Sequence, residues 1–200
     1  MSRKKAAVLF SIWNEYTYRN MASIKEKEKK TFEALKNQFG YTNVFMSPRL
    51  VKVVVNSGTG KMSQGDKKRN EFVLERLSKI TGQKPSPRRA RVAISAFKTR
   101  EGDIIGFVVT LRGKRMYGFL DKVLNVTLPR TRDFRGLSLS ALDEMGNLTI
   151  GIKEHIVFPE TADEELKNVF GLAVTIVTTA KDKKEAQAFF EHLGFPFKKI

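Results

Sequence analysis

The sequence predicts one α+β domain with a mostly antiparallel sheet and helices packed on one of its faces. Short runs rich in β-branched residues alternate with longer amphipathic segments, but without the regular strand–helix–strand order of a parallel sheet. With 200 residues and 41% hydrophobic content, the chain can bury a core of its own. A sheet of this kind leaves its second face free for a ligand.

The first predicted elements are a helix and a strand. Apolar residues at helical spacing predict a helix over residues 22–39. Ser23 is followed three residues later by Glu26, which is the spacing of a capping box, and Gly40 supplies a C-terminal stop. β-Branched residues then predict a strand over residues 50–56.

The middle of the chain predicts a helix, a strand and another helix. The first helix covers residues 66–81 and ends at Gly82, before a stiff proline-containing connection. The strand covers residues 104–112 and is interrupted at Gly106. An apolar stripe predicts the next helix over residues 114–126, with that stripe facing the core.

The last part of the chain predicts extended runs and a closing helix. Asp182 and Glu185 are placed to cap this helix, and Gly194 ends it. The extended runs cover residues 148–152, 156–159 and 174–179.

The chain is strongly basic, with 37 Lys and Arg, 21 Asp and Glu, and a net charge of +16. Residues 48–100 carry most of the excess, whereas residues 141–200 hold more acids than bases. This asymmetry is expected when one surface meets phosphate. The chain has no cysteine, and its two histidines, His155 and His192, are far apart. We therefore predict no disulfide, metal site, cofactor or catalytic residue.

A basic loop follows the helix predicted at 114–126. Residues 129–136 read Pro-Arg-Thr-Arg-Asp-Phe-Arg-Gly, and the flanking proline and glycine predict a shaped loop. Arginine grips phosphate with a flat fork of donors, and an aromatic ring stacks on bases or guanidinium groups. The candidate residues are Arg130, Arg132, Asp133, Phe134 and Arg135.

A second basic loop lies between residues 88 and 102. Lys98 and Arg100 alternate in a stretch that we expect to be extended, so that both side chains can face one ligand. A β-edge protected by its charges is the alternative. The other basic residues of this segment are Arg88, Arg89 and Arg91.

Residues 57–61, Ser-Gly-Thr-Gly-Lys, resemble half of a phosphate-binding P-loop. Val55 stands where the first glycine of that motif belongs, and Met62 replaces the Ser or Thr that would bind magnesium. A nucleotide-hydrolysing enzyme is therefore disfavoured. A turn whose glycines let another chain approach is the preferred interpretation.

The first residues differ in character from the rest. An apolar run follows Arg3, Lys4 and Lys5, but it is too short to span a membrane, and no small-residue cleavage site follows it. We divide the chain into an N-terminal extension, residues 1–21, disordered until it meets RNA, and a folded domain, residues 22–200. A targeting peptide, or a true start at Met21, is the alternative.

Six segments resemble one family in their order and spacing. They are similar to the ribosomal protein L-five family in its bacterial form, the 5S-rRNA-binding proteins of the large ribosomal subunit. Each segment alone is a weak signal, but the six together cover about residues 22–197. The segments are Ile80–Pro85, Ser95–Gly102, Val109–Tyr117, Leu128–Gly136, Gly151–Glu160 and Gly194–Phe197.

The resemblance implies a structural, non-enzymatic role in the central protuberance of the cytoplasmic ribosome. It implies that 5S rRNA binds the first strand, the turn after it and the open sheet face. It also implies 23S rRNA and other 5S-associated proteins as neighbours, and no membrane partner. The matching polar positions are Asn56, Gln83 and Thr110, with Lys52, Gly58 and Arg112 nearby.

The resemblance also assigns the two basic loops. It implies that the loop matching residues 88–106 points toward P-site tRNA. It implies that the loop matching residues 130–136 meets a protein of the small-subunit head in an intersubunit bridge. A general nucleic-acid-binding protein is the competing class, and a preference for folded 5S rRNA over duplex DNA would separate the two.

Overall fold

The computed structural model describes residues 23–59, 67–132, 134–161 and 169–198. The extension at residues 1–21, residues 60 and 61 of the P-loop-like run, Met62 after it, and Asp133 lie outside this part of the chain. The elements in chain order are α1 (Ile24–Phe39), β1 (Leu50–Gly58), α2 (Lys67–Thr81), β2 (Ser86–Arg89), β3 (Ile104–Leu111), α3 (Gly113–Lys122), β4 (Leu148–Ile152), β5 (Leu172–Thr178) and α4 (Lys183–Leu193).

Five strands of the described chain form one sheet in the order β2-β3-β1-β5-β4, and each neighbouring pair is antiparallel. β1 is the central strand: it pairs with β3 over residues 53–58 and with β5 over residues 50–56. It is two residues longer than the predicted strand at 50–56. The α+β prediction, with an antiparallel sheet, is confirmed.

The core lies between the sheet and the helices. Buried residues alternate with more exposed ones along β4, β5 and most of β1 and β3, as the pleat of a strand requires. Leu77 of α2, Leu120 of α3 and Phe189 of α4 are fully buried in the same apolar cluster. The buried strand residues in that cluster include Val53, Val55, Phe107, Val109, Leu111, Leu148, Ile150, Val174 and Ile176. The helices therefore cover one face of the sheet.

The start of α1 differs from the predicted capping box. The Ser23 hydroxyl donates a hydrogen bond to the Asp121 carboxylate of α3 at 2.9 Å, instead of accepting one from its own helix. The other Asp121 oxygen accepts the Ile24 N–H at 2.9 Å. A carboxylate distant in sequence thus replaces the local cap. The predicted stop is confirmed, because Gly40 ends the helix in the left-handed conformation with φ 66°.

The start of α4 also corrects the sequence prediction. The Asp182 side chain makes no capping hydrogen bond, and Glu185 accepts the Lys181 N–H at 2.7 Å. The buried Glu185 carboxylate also accepts the Tyr41 hydroxyl at 2.5 Å. Burial and this carboxylate together raise the pKa of Tyr41. Glu185 is therefore a tertiary anchor rather than a simple cap, while Gly194 ends the helix as predicted.

The helix predicted over 114–126 is longer than expected. α3 continues into a π-helical segment, Val123–Thr127, and a last helical turn, Leu128–Arg130. Pro129 lacks an N–H, and its ring would collide with the preceding turn of a regular α-helix. A π-turn is wider and gives the ring room. Pro129 therefore lies within the helix instead of opening a loop, which corrects the sequence prediction.

Two further predictions of extended structure were wrong in detail. β3 is continuous through Gly106, where a Cβ atom would lie 2.9 Å from the Ser57 carbonyl oxygen. Glycine is present because the two backbones approach closely, and not because the strand breaks. The run predicted as extended over 156–159 instead forms tight 3₁₀ turns, beginning with His155–Val157.

Candidate nucleic-acid interface

The face of the sheet opposite the helices, here called the outer face, has short side chains. All of the residues in its two central rows are exposed or half-buried. None of the five strands contains Asp or Glu, so no strand carboxylate repels a phosphate. A bulky ligand can therefore approach the backbone. The rows are Thr110, Val54, Thr175 and Thr149, and then Val108, Asn56, Ala173 and Gly151.

Three polar residues that are distant in sequence meet on this face. Val54 pairs with Thr110, so Asn56 is a diagonal neighbour of Thr110, typically about 7–8 Å away. Gln83 lies just before β2, and its Nε2 donates to the Thr110 carbonyl oxygen at 3.4 Å. The Thr81 hydroxyl holds the Gln83 carbonyl oxygen at 3.0 Å. The amides of Asn56 and Gln83 and the hydroxyl of Thr110 could hydrogen-bond base edges and sugar hydroxyls.

Basic residues border this polar group at one end. Val53 pairs with Leu111, so Lys52 and Arg112 are the next residues along the two strands. Arg112 is exposed at the start of α3, and Lys52 is half-buried. Gly58 ends β1 at the opposite end. The structure thus groups all of the positions that the sequence proposed for this surface.

The loop between β2 and β3, residues 90–103, is here called the hairpin loop. Its base is closed by the Ala90 N–H on the Asp103 carbonyl at 2.8 Å and by the Gly102 N–H on the Ala90 carbonyl at 3.0 Å. Phe97 is 58% exposed near its tip, with Val92 and Ile94 also exposed. The exposed cations of the loop and of β2 are Arg88, Arg89, Arg91, Lys98 and Arg100.

The predicted extended stretch around Lys98 is wrong. Ser95–Phe97 forms a 3₁₀ turn, and Lys98 adopts the left-handed conformation with φ 50°. The carboxylate of Asp103 accepts the Arg100 N–H at 2.8 Å, which tightens the return of the loop. The two cations therefore project from a compact turn and do not alternate along a strand.

The arginine loop, residues 131–136, is held at its end by the C-terminal residues. The Leu137 N–H donates to the Pro196 carbonyl at 2.7 Å, and the Lys198 N–H donates to the Leu137 carbonyl at 2.9 Å. Phe134 is half-buried against the core, so it supports the loop and is not a free stacking surface. The exposed cations are Arg130, in the last helical turn, Arg132 and Arg135.

A cleft that was not predicted from the sequence lies on the helix side of the molecule and is here called the α1 cleft. It has a volume of about 310 Å³ and lies between α1, the turn Val44–Met46 and α3. Its signals in the sequence were Lys25 and Lys29, one helical turn apart, but its other walls come from later segments. The residues lining the cleft are Lys25, Glu28, Lys29, Val44, Ser47, Arg49 and Tyr117.

Among the residues that the structure describes, no group of three or more His, Asp or Glu side chains is placed to hold a metal ion. No helix of the described segments is long and apolar enough to cross a membrane.

Fold and surface together define a class of protein: a basic α+β domain with an open sheet face and two basic loops. Residues 43–100 match the family profile described as ribosomal protein L5, and residues 104–197 match the profile for the C-terminus of the same ribosomal family. The chain belongs to the ribosomal protein L5 family, which confirms the resemblance found in the sequence.

Bacterial relatives agree over nearly the whole chain. Each is named large ribosomal subunit protein uL5. The protein of Thermotoga maritima is 48% identical over 176 residues, which cover 86% of this chain and 93% of the relative. The protein of Microcystis aeruginosa is 44% identical over 180 residues, covering 88% and 100%. The protein of Ureaplasma urealyticum is 44% identical over 181 residues, covering 90% and 98%.

Proposed function

We propose that the outer face binds 5S rRNA and that the chain thereby helps to build the central protuberance. As a member of the L5 family, the chain is a structural and non-enzymatic constituent of the large ribosomal subunit in the cytoplasm. The observation that carries the RNA proposal is the polar group of Asn56, Thr110 and Gln83 on an acid-free open face. The choice of 5S rRNA rests on the family resemblance.

The chemistry of the outer face suits RNA better than a flexible acidic protein. An RNA helix has a wide, shallow minor groove that displays 2′-hydroxyls and base edges. Short side chains on the sheet allow that groove to come close, and amides can both donate to it and accept from it. Lys52 and Arg112 would neutralise phosphates at the border of the contact.

The first test is a titration of the full chain with folded 5S rRNA, using tRNA and duplex DNA as competitors. If six or more phosphates are neutralised, a fourfold rise in salt should weaken binding by about a thousandfold or more. A loss below about tenfold would contradict a phosphate-dominated interface. Equal affinity for all three nucleic acids would favour the general nucleic-acid-binding class.

Single substitutions test the polar group directly. Asn56→Ala, Gln83→Ala and Thr110→Ala should each weaken 5S binding by about 1 kcal/mol, because each removes a polar contact. Gln38→Ala, at an exposed amide on α1, is the matched control and should leave the affinity unchanged. If the three variants bind like the control, the polar group is not part of the interface.

The two basic loops complete the proposal. We assign the hairpin loop to P-site tRNA, since exposed cations on a turn can hold phosphates without reading sequence, as a contact common to every tRNA requires. We assign the arginine loop to a protein of the small-subunit head. The proposed neighbours also include 23S rRNA and other 5S-associated proteins. Residues 1–21 are proposed as an RNA-contacting extension of a domain at residues 22–200.

A further inference from the structure

We propose that the α1 cleft binds an unpaired RNA nucleotide, and that this contact is separate from the outer face. The cleft is small: its volume of about 310 Å³ lies at the lower end of the roughly 300–1,000 Å³ that is usual for ligand pockets. Such a space suits one inserted group better than a whole strand or helix. The inference does not depend on which RNA the outer face binds.

The charge of the cleft favours an anion. Lys25, Lys29 and Arg49 line it, and among the described residues none of them forms an ion pair with a carboxylate. The cleft contains one acid, Glu28, and both oxygens of that acid are occupied. One accepts the Leu50 N–H at 2.9 Å, and the other accepts a hydroxyl of α3 at 2.5 Å. Positive charge is therefore left over for a phosphate.

Tyr117 of α3 supplies the hydroxyl that Glu28 accepts, and this hydrogen bond fixes the wall of the cleft. Burial and the Glu28 carboxylate raise the pKa of Tyr117 to about 12, although the nearby Arg49 opposes the shift. At neutral pH the hydroxyl is protonated, as that of any tyrosine is, and it donates to Glu28. Both oxygens of the carboxylate are thus engaged by the protein, and the three cations of the cleft outnumber this one acid.

An aromatic platform lies next to these cations. Phe45 is 78% exposed, and the Arg49 guanidinium lies 4.9 Å above the centre of its ring. Val44 and Met46 beside it are also exposed, so the turn presents an apolar patch at the mouth of the cleft. Exposed apolar patches rimmed by polar residues mark interaction sites. An RNA base could stack on the ring or on the guanidinium plane while its phosphate meets the lysines.

Two other occupants fit less well. An acidic peptide would neutralise the lysines but has no flat ring to stack on Phe45. The extension of this chain is itself basic, with Arg3, Lys4, Lys5 and Arg19 against one acid, Glu15, so the cations of the cleft would repel it. A single-stranded nucleic acid supplies both the negative charge and the flat ring.

The geometry keeps the cleft apart from the outer face. α1 and α3 belong to the layer that covers the inner face of the sheet, where Leu35 and Leu120 join the core. Asn56 and Thr110 point to the opposite side of the same strands. Two RNA segments can therefore occupy the protein at the same time.

The experiment measures binding of a fluorescein-labelled ten-nucleotide oligouridylate to the full chain by anisotropy at several salt concentrations. Lys25→Ala with Lys29→Ala should weaken binding and reduce the salt slope by about 0.7, since the one phosphate that these lysines meet contributes about 0.7 for a single strand. Phe45→Ala should weaken binding about tenfold at every salt concentration, because it removes stacking and no charge. The matched control is Lys30→Ala with Lys36→Ala, at exposed lysines of α1 outside the cleft, and it should show neither effect.

The outcomes separate this inference from the proposed function. If the cleft variants bind the oligonucleotide like the control while circular dichroism shows an intact fold, the inference is overturned. Equal competition by decaglutamate would overturn the assignment to RNA, because it would show a general anion patch. The 5S rRNA affinity of the cleft variants should stay within about twofold of the unmodified chain. If the cleft variants lose as much affinity for 5S rRNA as they lose for the oligonucleotide, the two contacts are not separate. If only the Asn56 variant loses affinity for 5S rRNA, the two contacts are separate.

Discussion

Removal of one oxygen atom from Tyr41 should destabilise the fold. Tyr41 is 5% exposed, and its hydroxyl donates to Oε1 of Glu185, which is 7% exposed. The other oxygen of Glu185 accepts the Lys181 N–H at the start of α4. Tyr41→Phe keeps the ring, which stacks on Phe39 at a centroid distance of 5.9 Å, but leaves one oxygen of a buried carboxylate without its partner.

The magnitude follows from the burial of both groups. Hydrogen bonds to charged groups contribute about 1.5–3 kcal/mol, and an unsatisfied buried acceptor adds the cost of its lost hydration. We therefore expect Tyr41→Phe to lower the free energy of unfolding by about 2–3 kcal/mol. For a protein of this size, that corresponds to a Tm lower by roughly 4–12 °C.

Urea denaturation of the full chain measures this change. A double-mutant cycle with Glu185→Ala, which removes the acceptor, isolates the contact, and we expect a coupling energy of about 1 kcal/mol or more. A loss below about 0.5 kcal/mol for Tyr41→Phe, with no coupling in the cycle, would refute the view that the carboxylate depends on this hydroxyl.

Three further predictions concern the sheet, the loss of stability at alkaline pH and the arginine loop. Gly106→Ala should cost about 1–3 kcal/mol in urea denaturation, because its Cβ would press on the Ser57 carbonyl, whereas Gly151→Ala, with open space around it, should stay within about 0.5 kcal/mol. Tyr117 has a folded-state pKa of about 12 against an ordinary 10.0. Its contribution to the free energy of unfolding is therefore complete below pH 10 and is lost as the pH rises toward 12. Tyr117→Phe should flatten the fall in unfolding free energy above pH 10, and parallel curves for the two proteins would contradict this assignment. Substitution of the three arginines in and beside the arginine loop by Ala should leave 5S affinity unchanged in filter binding and weaken subunit joining in light scattering. A loss of 5S affinity would contradict the assignment of this loop to a surface that does not bind 5S rRNA. The arginines replaced together are Arg130, Arg132 and Arg135.

The parts of the fold that depend on local pattern were predictable from sequence. The run of β-branched residues at 50–56 predicted a strand, and the pleat of that strand puts Val53 and Val55 in the core and Asn56 outside, because its period is two. The left-handed glycines at the ends of α1 and α4 were equally local signals. The open face was expected from the α+β class with helices on one side of the sheet, and its polar residues were proposed from the family resemblance.

The features that were predicted wrongly, or not at all, depend on partners far away in the sequence. Ser23 has the spacing of a cap, but Asp121 competes for its hydroxyl from another helix. Pro129 normally ends a helix, and here the π-turn that accommodates it has no recognisable local signal. The α1 cleft joins residues from Lys25 to Tyr117, so no motif search over a short window could assemble it.

The position of β1 between β3 and β5 has a consequence for biosynthesis. Val55 pairs with Val174, so the central strand lacks one of its neighbours until most of the chain has been translated. A nascent chain therefore exposes an unpaired strand edge, and pairing over such a long separation is slow. The face that carries Asn56 can form only when the polypeptide is almost finished. Products that terminate before β5 thus lack the strand that completes the sheet beside β1.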